Sequence, residues 1–272
     1  MKNDPNSKPL WFNKEEETEK LSENSLFVAT PVHSEVSIHY TQSLLELQKL
    51  AIKKKTKIVF QLYKSSLVTQ GRNLCVSAFL RSGMSHLLFI DSDIDFNFAT
   101  IETMLKADKD VIACHYPMKS LDWDKIFQEK DKAKDKDQLR KPGYTFPIKL
   151  ENQNHIESHK GIVEATHAPT GCMLIKRKVL EDMIKHHPEL KIYQPTNING
   201  KEITKENFYN LFDTIHDPKT KRYFGEDFGF CQRWTDMGGK VYLYIMDYIT
   251  HVGEHQFCGR FFDNLKPAID DK

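Results

Sequence analysis

No run in this chain approaches the roughly 18 consecutive apolar residues that a membrane span requires, so no integral membrane segment is expected. The polar N-terminus carries Pro5, Pro9 and Glu15-Glu16-Glu17 and lacks the apolar core of a signal peptide. Charge of one sign is missing too. Lys plus Arg number 39 against 38 Asp plus Glu, a formal net charge of +1. No overall field then draws the protein to nucleic acid or to a membrane surface. Cysteine is sparse: Cys75, Cys114, Cys172, Cys231 and Cys258 are odd in number, widely spaced and without a CxxC pair. That pattern suggests neither a zinc site nor a disulfide framework. Three of the five lie in apolar surroundings, as buried reduced thiols do in the cytoplasm, where the chain is expected to work.

What is present centres on His86-Leu87-Leu88-Phe89-Ile90, followed by Asp91-Ser92-Asp93-Ile94-Asp95. Five uncharged residues, mostly branched or aromatic, read as a strand buried on both faces. Three carboxylates spaced two apart then mark where the strand leaves the core. Such carboxylates repel one another unless a cation compensates them, and hard oxygen ligands suit Mg2+ or Mn2+. A solvated acidic turn is the plainer alternative.

Around that stretch the pattern alternates. A strand at Leu26–Thr30 is expected to stop at Pro31, and a helix runs after Ser37 to Lys53, closed by a basic run. A strand at 57–63 and a helix over Gly71–Arg81 follow. Arg72 at the start of that helix opposes the helix dipole, which points to an anion as its reason, with a plain surface arginine as the alternative. The 86–90 strand, a helix at Phe98–Ala107 and a strand at Asp110–Tyr116 complete the series. Strand and helix in alternation argue for an α/β domain with a mostly parallel central sheet flanked by helices. The Asp cluster then sits at a strand C-terminus, the usual ligand edge of an open α/β sheet. Farther on come strands at 163–167 and 172–175, a helix over 178–186, and two extended pieces about an Asn199-Gly200 turn. Gly225-Glu226-Asp227 opens a helix ending near Gly238-Gly239, and a strand over 240–245 runs on to His251. Residues 1–24 read as a polar tail or peripheral helix, 25–253 as one catalytic domain, and 254–272 as a C-terminal tail.

Three features ask for one explanation: DSDID at a strand end, GED at a helix start, and His251 after the last strand. Two carboxylates and an imidazole can complete a divalent-metal site that takes its other ligands from phosphate and water. Glu226 or Asp227 can serve as a general base or anchor an acceptor sugar. Helix capping is the plain alternative for the pair, and a structural or surface histidine is the alternative for His251.

The order of the pieces LFVATP, QGRNLCVSAFLRSGMSHLLFIDSDIDF, ACHYP, APTGCMLIKRKVL, FGEDFGFCQRW and ITHVG resembles the GT-A glycosyltransferases. The likeness is greatest to the small single-domain members of bacteria and large DNA viruses, and runs from about Leu26 to Gly253. It implies a metal-dependent transfer of a sugar from a nucleotide-sugar donor, with a UDP-sugar as first choice, to a hydroxyl acceptor such as a glycan. It implies Mn2+ or Mg2+ as cofactor, and a cytoplasmic setting, bacterial or that of a host cell. Thr30 and Pro31 would line the nucleobase pocket, and Arg72 with Asn73 would meet the nucleotide or its phosphates. Asp91, with Ser92, would hold the ribose or donor sugar, and Gly171 would border the donor. Asp93 and His251 would be the metal ligands, with Asp91 and Asp95 as further candidates. Asp227, or Glu226, would be the base if configuration inverts, or an acceptor anchor if it is retained; GED resembles the base motif of inverting members. The segment from Lys119 to Glu164 has no matching motif and lies where acceptor loops vary. Trp123, Tyr144 and Phe146 there suit the C–H face of a pyranose, with packing as their plainer use. Two other readings stand beside this one. A nucleotidyltransferase would bring a Gly-rich phosphate loop, which LFVATPVHSE lacks, and an inert nucleotide- or sugar-binding module would show a broken metal constellation.

Overall fold

The structure is a computed structural model that describes residues 25–150, 158–193, 195–198, 201–203 and 208–253. The expectations for the two tails, for Cys258 and for the Asn199-Gly200 turn lie outside the described residues.

The chain opens with β1 (Leu26–Val32), α1 (Ile38–Lys54), β2 (Ile58–Lys64), α2 (Val68–Ser82), β3 (His86–Ile90), β4 (Ile94–Asp95), α3 (Phe98–Lys106) and β5 (Val111–Cys114). The segment after β5, which has no matching motif, carries two short helices, α4 (Trp123–Glu129) and α5 (Lys136–Arg140). Then come β6 (Lys149–Leu150), β7 (Ile162–His167), β8 (Cys172–Lys176) and α6 (Arg177–His186). The hairpin pair β9 (Thr196–Ile198) and β10 (Lys201–Ile203) follows, and then β11 (Ile215–His216) with β12 (Tyr223–Phe224). α7 (Glu226–Asp236), β13 (Val241–Tyr244) and β14 (Thr250–His251) complete the order.

Eight strands form the central sheet in the order β2-β1-β3-β8-β5-β13-β7-β6. β1, β2, β3, β5, β6 and β13 run one way, while β8 and β7 run against them. The mostly parallel α/β sheet expected from the alternation is therefore present. Side chains alternate across it as a pleated strand requires. Leu87 and Phe89 of β3 join one apolar layer with Phe79 of α2, Leu180 of α6 and Phe230 of α7. Leu88 and Ile90 join the opposite layer with Tyr40 and Leu47 of α1 and Ile101 and Met104 of α3. All five β3 residues are buried, which is why the strand reads as a continuous apolar run.

Two boundaries differ from expectation in ways that matter. β1 does not stop at Pro31 but continues to Val32. Beyond Ala29 only β2 lies beside it, so the missing Pro N–H faces an open side of the ladder. α2 begins at Val68, before Gly71. Arg72 therefore lies inside the helix rather than at its dipole end, and the reason for its charge must be sought elsewhere.

The reversed strand β8 shapes the ligand edge. Because it is antiparallel to both β3 and β5, its first residue Cys172 pairs with Ile90, the last residue of β3. The turn before β8 thus reaches the same edge as Asp91, and the Asp91 N–H donates to the Gly171 carbonyl at 2.9 Å.

Candidate active site at the carboxyl edge of the sheet

Arg72 is the buried centre of this edge. Its side chain is 3% exposed, and its two terminal nitrogens donate to the two carboxylate oxygens of Asp91, each at 3.0 Å. Its Nε donates to Glu226 at 3.1 Å. Burial alone works against the charge, but the two carboxylates outweigh it and hold the guanidinium firmly protonated. The guanidinium also lies over the Phe89 ring, 5.2 Å from its centroid. A planar fork suits this bidentate grip, and a lysine would not reproduce it. One side chain thereby ties the Asp91 turn to the start of α7. Gly71 permits the approach: a Cβ there would stand 3.1 Å from Pro31 Cβ at the end of β1.

Asp93 and His251 form a second pair. β14 joins β4 as a two-residue antiparallel bridge that sets His251 opposite Ile94. The Val252 N–H donates to the Asp93 carbonyl at 2.8 Å. His251 Nδ1 lies 3.0 Å from the Pro117 carbonyl, which only accepts, so Nδ1 carries the proton. In the neutral ring Nε2 then presents a lone pair, and it lies 3.5 Å from Asp93 Oδ2. Lys119 Nζ lies 2.5 Å from that same oxygen. Burial works to raise the Asp93 carboxyl, yet a hydrogen bond from His251, which the doubly protonated ring can donate through Nε2, and one from Lys119 outweigh it and hold it down at about 2.

This donor pair fits a divalent cation. An imidazole lone pair and a carboxylate oxygen facing one another are brought to terms by positive charge between them, and the other ring nitrogen of His251 is already fixed on the Pro117 carbonyl. The remaining ligands would have to come from substrate and water, as is usual for Mg2+. Among the described residues no group of three or more His, Cys, Asp or Glu is arranged to hold a metal by itself. Both Asp91 oxygens are engaged by Arg72, and Asp95 accepts a hydrogen bond from Ser43 Oγ at 2.7 Å.

Glu226 and Asp227 occupy the first turn of α7, after Gly225 at its N-cap. Asp227 Oδ1 accepts from the Phe228 N–H at 2.7 Å. Burial, and then the neighbouring Glu226 charge, push its carboxyl up to about 6, against the opposing pull of the Phe228 N–H and Arg72. A carboxylate that titrates near neutrality is matched to proton transfer at neutral pH.

The other expected residues take up distinct places. The Thr30 hydroxyl is buried and 2.6 Å from the Tyr40 hydroxyl. Burial pushes Tyr40 up to about 12, only partly offset by that bond. Pro31 is half-buried at the sheet edge. Asn73 is buried and acts on backbone: it accepts from the Phe212 N–H at 3.0 Å and donates to the Phe212 carbonyl at 3.1 Å. The Ser92 carbonyl accepts from the N–H of Ser37, the α1 cap residue, at 2.8 Å. Gly171 donates its N–H to the Tyr116 hydroxyl at 3.1 Å. Trp123, Tyr144 and Phe146 are all exposed, and Phe146 lies against His115 with ring centroids 5.3 Å apart.

Two residues of this edge escaped the sequence reading. Tyr116 stands edge-on to His251 at 5.1 Å and holds Gly171, and Lys119 reaches Asp93. Both follow β5 within a few residues, so their signal was positional: they lie just past a strand end on the ligand edge.

No family model matches the sequence, and no curated protein matches it. Among solved structures, the chain is similar to A197 from STIV, with 16% identity over 87% of this chain and 98% of that one, at a TM-score of 0.40. A glycosyltransferase involved in the glycosylation of the major capsid of PBCV-1 is similar at 8% identity over 61% of this chain and 67% of that one, with a TM-score of 0.32. UDP-glucose pyrophosphorylase complexed with UDP-glucose is similar at 8% identity over 82% and 91%, with a TM-score of 0.38. No helix among the described residues is long and apolar enough to cross a membrane.

Proposed function

We propose that the protein is a metal-dependent glycosyltransferase that moves a sugar from a nucleotide-sugar donor, with a UDP-sugar as first choice, to a hydroxyl of a glycan or similar acceptor. The observation that carries this reading is the single buried guanidinium of Arg72, which binds the Asp91 turn and Glu226 at once. That contact joins the turn leading into Asp93 to the first turn of α7, which carries Asp227.

In this reading Asp93 and His251 hold Mn2+ or Mg2+, with Asp91 and Asp95 kept for contacts around them. When bound, the metal supplies positive charge to the leaving diphosphate as a Lewis acid. Asp227 takes the proton of the acceptor hydroxyl as that oxygen forms its bond to the anomeric carbon. The bond from that carbon to the diphosphate oxygen breaks, the electron pair leaves with the nucleoside diphosphate, and configuration inverts. Asp91, held still by Arg72, offers its remaining lone pairs to the ribose or donor sugar, which makes Arg72 a positioning residue. Thr30 and Pro31 border the base, Ser92 and Gly171 border the donor sugar, and Asn73 stabilises the 210–212 backbone beside them.

A thermal-shift series with UDP, GDP and CDP, each with and without Mn2+, tests the reading. Ligand that binds the folded state alone raises the melting temperature. The expected result is a shift with one nucleotide that requires Mn2+. No shift with any nucleotide plus Mn2+ overturns it.

A further inference from the structure

Lys119 reaches the Asp93 carboxylate oxygen that His251 also faces, at 2.5 Å against 3.5 Å for the imidazole. It arrives from the loop after β5, far from both in sequence. Its stem is guided by Gly253: a Cβ there would stand 2.8 Å from Lys119 Cδ and 3.2 Å from Cγ. The glycine that ends His251-Val252-Gly253 thus makes room for a lysine. Side-chain exposure is 41% for Lys119 and 33% for Asp93, so the contact sits at the mouth of the site. An ion pair this open is worth little in stability and is readily exchanged.

Resting on the glycosyltransferase reading, we infer that Lys119 is a built-in counter-cation. It holds Asp93 Oδ2 in the free protein, yields that oxygen to an incoming divalent metal, and turns its ammonium to a diphosphate oxygen of the donor. An ammonium and a metal cannot share one carboxylate oxygen without repulsion. A displaced ammonium beside a diphosphate finds a better partner than water, and Lys serves as a mobile point charge for phosphate. The consequence is coupling: metal alone binds weakly, and metal with diphosphate binds well, each raising the affinity for the other.

The test is calorimetric titration of Mn2+ alone, and of UDP in the presence of Mn2+, into wild type, K119M and G253A. Methionine keeps the stem and removes the charge. K119M is expected to bind Mn2+ alone about fivefold tighter than wild type, the scale of one half-exposed charge contact, and to bind UDP plus Mn2+ at least about fivefold more weakly. G253A keeps the ammonium but displaces it, and is expected to move both affinities in the same directions. Unchanged Mn2+ affinity in K119M overturns the inference, as does a lack of Mn2+ binding in both proteins. The Mn2+-only arm involves no nucleotide. The Lys119 assignment can therefore fail while wild type still binds UDP with Mn2+, and the glycosyltransferase reading then stands without it.

Discussion

A Cβ placed on Gly171 would stand 2.5 Å from the Tyr116 hydroxyl and 2.7 Å from its Cζ, while the Gly171 N–H donates to that same hydroxyl. Tyr116 is buried against His251, so its ring has little room to retreat. G171A is expected to destabilise the protein by about 2 kcal/mol, the scale of overpacking. In a Y116A background the same change should cost clearly less, because the hydroxyl and the ring atoms nearest the added Cβ are all gone. Urea unfolding of the four proteins of that cycle measures the coupling, and equal costs in both backgrounds would show that Tyr116 is not what Gly171 accommodates.

Arg72 is the cation between Asp91 and Glu226, and both partners are largely buried. R72M should therefore destabilise by about 3–5 kcal/mol, since it strands two carboxylates. Adding E226Q to R72M should recover part of that loss. Chemical denaturation decides it, and an R72M protein as stable as wild type would remove the network from any account of the edge.

Asp227 carries a pH signature. Its folded carboxyl lies at about 6, above the ordinary 3.8, so the folded state holds the proton more tightly than the unfolded chain. The stability this contributes is fully present below about pH 4 and is lost as pH rises through 6. D227N cannot ionise. It should gain on wild type by roughly 2 kcal/mol above pH 6, with the gap closing towards pH 4. Melting curves at pH 4, 5, 6 and 7 follow the gap, and a constant difference across the series would refute the raised value. The same variant should retain donor binding and lose transfer.

Asp93 receives both Lys119 and His251. D93A should abolish the Mn2+ dependence of nucleotide binding while leaving the fold intact, as the residue is a third exposed and stands beyond the β3 core strand. Titration of UDP with and without Mn2+ reads this directly. Undiminished Mn2+-dependent binding in D93A would move the metal elsewhere.

Much of this architecture is legible in the sequence because burial leaves a local trace. β3 is buried on both faces and reads as an apolar run, and the Ser37 cap, which accepts from the Tyr40 N–H, marks where α1 starts. What was illegible depended on partners distant in the chain. Arg72 looked like an anion site at a helix end, whereas α2 begins earlier and the charge is met by Asp91 and Glu226. Asn73 meets the Phe212 backbone, 139 positions later in the chain, and no local pattern announces that partner. Lys119 lay in a stretch dominated by alternating charges, where nothing local distinguishes a lysine that reaches a carboxylate on another segment.

The two-residue bridge between β14 and β4 has a consequence for folding. Every strand of the eight-stranded sheet lies at or before Tyr244 in the chain, while Ile249 of the second apolar layer follows it. His251 comes later, and the Pro117 carbonyl that fixes its tautomer lies 134 positions earlier. A chain can thus pair its whole central sheet before His251 is set opposite Ile94. Contacts this remote form slowly, so the bridge lags behind the sheet. A chain interrupted just before Thr250 would keep all eight strands of that sheet and lose the contact of His251 with Asp93.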